Sequence, residues 1–273
     1  MSTPEPAPAG PPVTLLLRLA GPLQSWGDRS AFNRRDTRPE PTKSGIVGLL
    51  AAAQGRPRSA DLADLASLDL GVRVDCAGSL LRDYHTVSDF RGTPLPAAAV
   101  NAKGLQKPTS PAKYTHVTHR YYLQDAVFLA AISGPTALLE TLAHALTHPA
   151  YALALGRRSC PPTQPLLLGL RTLPLQAALE AEPWQATEPI RKTWGRHNSN
   201  AAGIDLPATL DDHTGAHTAD DLPLSFRPGH RAFTSRRVRH TYLHVPTGLT
   251  PAPNTSTTTG PAAGHDPFAL LGG

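Results

Sequence analysis

Dense apolar runs separated by long polar stretches mark the structural elements of this chain. Val13-Thr14-Leu15-Leu16-Leu17-Arg18-Leu19, bounded by Pro12 and Gly21-Pro22, predicts a buried strand. A polar, basic loop follows to Pro41. Thr42 then caps a helix predicted over 43–53 and ended by Gly55. Leu62, Leu65 and Leu68 at helical spacing predict a short helix near 59–67. Strands are predicted over 70–76 and 80–87 around Ala77-Gly78. From Ser88 to about Thr118 the pattern dissolves into Pro, Ala, Lys and Thr. It resumes as one strong strand over 121–132, a helix opened by Pro135 and running to about Thr147, and an apolar strand over 166–171.

The order strand, helix, strand, strand, helix, strand is that of a ferredoxin-like domain, an α+β fold. Beyond Arg171 the pattern weakens. Residues 173–179 read as helical, 196–221 as a polar loop, and 238–245 as a strand with Tyr242 and Val245 turned to the core. Pro, Thr, Gly and Ala after Pro246 predict a disordered tail. The expected organisation is therefore a disordered extension over 1–12, a ferredoxin-like domain over 13–172 with an insertion at about 88–118, a smaller β-rich region over 173–248, and a tail over 249–273.

Charge changes this picture. The 273 residues carry a formal net charge of +5, which permits a polyanionic partner without proving one. Its distribution is uneven. Arg29, Arg34, Arg35, Arg38 and Lys43 crowd one early loop, and Arg227, Arg231, Arg236, Arg237 and Arg239 a late segment. The acids Asp205, Asp211, Asp212, Asp220 and Asp221 stand apart from both in sequence. Separated charge of this kind predicts phosphate-facing surfaces. The insertion adds Lys103, Lys107, Lys113 and Arg120 with no acid between Arg91 and Arg120. No stretch approaches the ~18 apolar residues of a membrane span, and residues 1–12 lack the pattern of a signal peptide. Cys76 and Cys160 stand alone, as expected of a reducing cytoplasm.

Three motifs carry candidate chemistry. Thr42-Lys43-Ser44 at a helix start offers amides, a dipole end and a cation to a phosphate, although no P-loop framework surrounds it. Arg82-Asp83-Tyr84-His85 places a Tyr beside a His, a pair able to serve as base and acid in metal-free RNA cleavage. Neighbours on a strand face opposite ways, however, so stacking or phosphate contact is the expected role. Gly156-Arg157-Arg158-Ser159-Cys160 is a tight loop whose forked donors suit phosphate oxygens. Cys160 lacks a positioned base and reads as a packing residue. His116/His119 and His213/His217 have no Cys or carboxylates to complete a metal site, so neither a metal nor another cofactor is expected. Aromatic residues make up 5% of the chain, which predicts backbone-directed Arg and Lys contacts rather than a broad stacking platform.

Four blocks resemble one known family: Leu17 to Gly27, Pro41 to Leu50, Leu81 to Val87, and Leu155 to Pro161. They occur in the same order in the CasD family, subunits of the type I-E CRISPR Cascade complex. The resemblance implies a modified ferredoxin-like (RRM-like, RAMP) domain with an inserted thumb. It implies a non-catalytic, cytoplasmic antiviral-defence protein that caps the 5′ handle of the CRISPR RNA. The partners implied are the backbone subunit and the large PAM-reading subunit, with target DNA met only indirectly and no membrane. The alternative is a metal-independent endoribonuclease cutting repeat RNA, as in type I-C relatives. The expected RNA-binding residues are Arg34, Arg35, Arg38, Thr42, Lys43, Ser44, Arg82, Tyr84, His85, Lys103, Lys107, Lys113, Arg120, Arg157, Arg158 and Ser159.

Overall fold

In the computed structural model, residues 11–27, 33–103, 105–198 and 202–249 are described; residues 1–10 and 250–273, where an extension and a tail were expected, lie outside them. The chain opens with β1 (Thr14–Ala20), β2 (Leu23–Gln24) and β3 (Arg34–Arg35), then α1 (Lys43–Ala53) and α2 (Ala63–Ala66). β4 (Asp69–Cys76) leads into β5 (Ser79–Ser88), β6 (Leu95–Val100), β7 (Gln106–Lys113) and β8 (Thr115–Gln124). β9 (Val127–Ser133), α3 (Thr136–Thr147) and β10 (Leu167–Arg171) follow. The last third holds α4 (Leu175–Ala181), α5 (Glu188–His197), β11 (Gly203–Asp211), β12 (His217–Ser225) and β13 (Ala232–Pro246).

A seven-stranded antiparallel sheet in the order β10-β1-β9-β4-β11-β13-β12 forms the centre of this mixed, sheet-rich fold. Both of its faces are covered at β1 and β9, which is why β1 reads as a nearly unbroken apolar run. Leu15, Leu17 and Leu19 point into a core shared with Ile46, Val47, Leu49 and Leu50 of α1 and with Leu139, Leu142 and Leu146 of α3. Leu16 points the other way, toward Leu179 of α4, Trp184, Leu206 and Val245. Each such buried side chain stabilises the fold by roughly 1.5–3 kcal/mol relative to exposure.

Residues 196–221 are not a loop. Their larger part is β11 and the start of β12, which flank β13 in the sheet and are polar because one face of these strands meets solvent. Tyr242 stands on that open face, 73% exposed, whereas Val245 is fully buried. The far end of α4 is finished by a charged group. Arg73, itself buried, pairs with Asp75 (2.7 Å) and donates to the carbonyls of Leu179, Glu182 (2.6 Å) and Pro183 (3.0 Å). It thereby satisfies acceptors that a helix C-terminus leaves open.

Candidate nucleic-acid interface

The predicted strand over 121–132 is two strands in two sheets. Asp125, at φ 56°, turns the chain between β8 and β9, and its amide donates to the Pro22 carbonyl. Gly78, at φ +68°, makes the matching turn between β4 and β5; a Cβ there would lie 2.3 Å from the Gln124 carbonyl oxygen. From this base β5 and β8 run out as an antiparallel ribbon, in register from Ser79↔Gln124 to Ser88↔Thr115. The other edge of β8 pairs with β2 and, in parallel, with β3. The ribbon continues into the hairpin of β6 and β7. The stretch read as patternless is therefore mostly strand. Water on both faces removes its alternation, and Pro96, Pro108 and Pro111 imitate a loop.

Cross-strand partners share a face, and the register gathers one set of residues. Tyr84 lies opposite His119, which lies opposite Arg34; Arg82 lies opposite Tyr121. The Tyr84 and His119 rings meet edge-on at 5.6 Å. The Arg34 guanidinium sits 4.9 Å over the Tyr121 ring while pairing with Asp36 at 2.9 Å. Tyr84 remains 62% exposed. His85 faces the opposite side, as strand geometry required. Its side also carries Arg35 and Arg120, directly opposite each other, with Asp83 next in the row. Two guanidiniums side by side form a cationic row in which the single Asp83 is the only acid of the register. Leu23, Leu81, Arg82, Asp83, Tyr84, Tyr122 and Ser159 line a groove of about 330 Å³ at the ribbon base.

The Gly156 loop abuts this groove because Gly156, at φ +84°, presses on the backbone just after β2; a Cβ would lie 1.8 Å from the Ser25 carbonyl oxygen. Its two arginines part company. Arg157 donates to the carbonyls of Tyr121 (3.0 Å), Arg35 (2.7 Å) and Asp36 (3.2 Å) and sits 4.8 Å over the Tyr122 ring. It is a bracket holding the loop, β8 and β3 together. Arg158 and Ser159 are exposed. Cys160 is fully buried, and burial pushes its thiol above the ordinary value, the opposite of an activated nucleophile.

The start of α1 differs most from expectation. Thr42 does cap it, accepting from the Gly45 amide at 3.2 Å. Thr42, Lys43 and Ser44 are nonetheless all buried. The anion at this helix terminus belongs to the protein: Asp221 Oδ2 accepts from the Lys43 amide at 2.6 Å, and Lys43 Nζ pairs with Asp211 at 2.8 Å. Arg236 completes the cluster, bonding Asp221 at 2.7 Å and also Asp211. Burial opposes its charge, yet the two carboxylates outweigh that and hold its pKa above the usual arginine value. Arg239 pairs with Asp212 at 3.1 Å, and Arg237 donates to the Gly215 carbonyl at 2.8 Å. Acids and bases separated in sequence thus meet in space: Arg236 and Arg239 of the late basic segment are met by carboxylates, whereas Arg237 is exposed and meets only a carbonyl.

Next to the cluster, the Thr209 hydroxyl bonds the Glu40 carboxylate at 3.0 Å and lies 2.9 Å from His240 Nδ1. Burial raises the Glu40 pKa, against the pull of Thr209 and of the His240, Arg236 and Arg38 charges. Arg38 itself is exposed, its amide donating to the Trp26 carbonyl. On the hairpin, Lys103, Lys107 and Lys113 are exposed. Arg29 lies outside the described residues. Among those described, no group of three His, Cys, Asp or Glu is arranged to hold a metal, and no helix is long and apolar enough to cross a membrane. His119, weighed in the sequence only with His116 as a metal pair, joins the site, as do Tyr121 and Tyr122, which the sequence reading places in a core strand.

Residues 14–239 match the family described as CRISPR-associated protein (Cas_Cas5). The chain is 37% identical over 188 residues to the CRISPR system Cascade subunit CasD of Escherichia coli (strain K12), covering 62% of this chain and 77% of that one. A solved structure described as "Crystal structure of Cas protein" aligns with TM-score 0.61 and 39% identity, over 86% of this chain and 98% of that one. Another, described as "CRISPR RNA-guided surveillance complex", aligns with TM-score 0.67 and 35% identity, over 89% and 95%.

Proposed function

The chain belongs to the CRISPR-associated protein (Cas_Cas5) family, in its CasD branch, and from that premise we propose that it is a non-catalytic guide-RNA-binding subunit of a type I-E Cascade complex. It caps the repeat-derived 5′ handle of the CRISPR RNA and nucleates assembly with the backbone and large PAM-reading subunits in the cytoplasm. Target DNA is met only through base pairing by the guide. The observation that carries the RNA contact is the open ribbon face bearing Arg34, Arg82, Tyr84, His119 and Tyr121. An exposed ring flanked by guanidiniums suits an unpaired base and its phosphate together. Arg35 and Arg120 add cationic charge on the ribbon's other face, Arg158 and Ser159 add donors on the adjoining loop, and the three lysines add charge along the hairpin.

A modified ferredoxin-like domain accompanies this reading. It is supported by the run β1, α1, β4, β9, α3, β10, whose strands lie in the order fourth, first, third, second. The ribbon and hairpin are then the thumb, and residues 173–248 a smaller region that prolongs the same sheet.

The test is binding of full-length protein to a labelled single-stranded RNA carrying the repeat-derived leader, measured across a salt series in EDTA. Arg82→Ala with Tyr84→Ala is expected to weaken binding about 5- to 150-fold, the equivalent of ~1–3 kcal/mol for a lost base stack, with the melting temperature unchanged. Equal binding by the double variant sinks the assignment of this face. Discrete cleavage in EDTA, lost on changing Tyr84 or His119, favours the endoribonuclease instead, because these two rings do share a face.

A further inference from the structure

A β-strand whose backbone is paired on one side only presents a row of N–H and C=O groups to any extended chain that reaches it, and proteins normally blunt such edges. Among the described residues, this molecule blunts its free edges with one exception. β10 is five residues long, with a break in register against β1. β12 carries Pro223 and two register breaks. The hairpin of β6 and β7 has three prolines and two breaks. β5 has none of these devices. Its ten residues contain no Pro, Gly or Lys, they hold unbroken register with β8, and no strand pairs with their other side.

We propose that the free edge of β5 receives an extended segment of a neighbouring subunit, which adds to the ribbon as a further strand. The proposal rests on the chain being one subunit of a larger assembly, and it concerns the edge of the ribbon rather than the face assigned to RNA. A second polypeptide is the occupant that fits, because donors and acceptors recur along this edge at the two-residue strand repeat of about 6.8 Å. A peptide backbone answers that repeat at every step. The charge agrees: Arg82 is followed by Asp83, so the strand is balanced rather than cationic. Leu80 on one face and Leu81 and Val87 on the other, all exposed, offer apolar contacts on both sides of an added strand.

Hydrogen exchange tests this on three samples: the full chain alone, the chain with handle RNA, and the chain co-expressed with the other subunits of its complex. Amides over 80–88 are expected to exchange at least about tenfold more slowly in the complex, with no such change on adding RNA alone. Unchanged exchange on assembly overturns the proposal. So does protection by RNA alone, and so does protection of the free chain that grows with its concentration, which marks self-pairing. Thr86→Pro and Val87→Pro supply a second arm, since adjacent amides point to opposite edges and one variant spares the pairing with β8. The variant that keeps the wild-type melting temperature is expected to bind RNA normally yet enter the complex about tenfold less; normal entry refutes an added strand. A wild-type chain that gains edge protection on assembly but binds no RNA upholds this inference while the RNA reading fails.

Discussion

Two arginine-rich regions that look alike in sequence have opposite fates in the fold. On the ribbon, Arg34, Arg35, Arg82 and Arg120 stand in register among rings and other guanidiniums, with Asp36 and Asp83 the nearby acids. On β13, Arg236, Arg237 and Arg239 are met by Asp211, Asp221, Asp212 and the Gly215 carbonyl. The first set leaves charge available to a polyanion. The second spends its charge tying the C-terminal hairpin to α1 and to the rest of the fold. Local density of basic residues therefore says little about partners until the location of the opposing carboxylates is known.

Separate losses of stability and of RNA binding put this contrast to the test. The largest effect belongs to Arg236→Ala, which leaves two buried carboxylates with Lys43 as their one remaining cation and Asp221 with only the Lys43 amide. Urea unfolding should show about 3–5 kcal/mol of destabilisation, while the salt dependence of RNA binding in the surviving folded protein stays unchanged. Arg157→Ala comes next. Losing three carbonyl partners and a ring contact should destabilise by about 1–3 kcal/mol without altering the salt slope. Its exposed neighbour should behave the opposite way. Arg158→Ala is expected to leave stability within about 0.5 kcal/mol and to lower the slope of log K against log salt by about 0.7, one single-strand phosphate contact.

Glu40→Gln should give the smallest effect, read in the pH dependence of stability. Burial raises the folded pKa of Glu40 above its ordinary 4.5, so its favourable contribution is complete below that value and is lost as pH rises through the folded pKa. The Gln variant should lack this decline, and its advantage over wild type should grow with pH across that window. A parallel pair of stability curves refutes the assignment.

Much of the central fold was legible because burial on both faces produces continuous apolar runs. β1, β9 and β10 announce themselves this way, and Thr42 marks the start of α1 to the residue. β5 was read over 80–87, but the outer half of β8 and the hairpin of β6 and β7 were hidden by their solvation, since a strand wet on both sides has no alternation to read. α5 was hidden for a related reason: it has no buried residue, so its sequence shows only Ile190 and Trp194 amid charge. In the site, Tyr84 and Arg82 were found from their motif and Arg34 from the basic loop, but His119 was not, and only pairing across strands sets all four side by side. The error over Lys43 has the same origin. Asp221 lies 178 residues away in sequence, and no local pattern announces that a helix start has already received its anion.

That distant anion also bears on how the chain is made. α1 leaves the ribosome early, with Lys43 facing a site whose two carboxylates and whose Arg236 have yet to be synthesised. The helix can form on its cap alone, but its first turn stays electrostatically incomplete until β11, β12 and β13 have all emerged. Closing a contact of such span is slow, and native-like packing of the first half depends on the last strand. A nascent chain halted before residue 236 should therefore remain a client of chaperones, even though most of its hydrophobic core has already been translated.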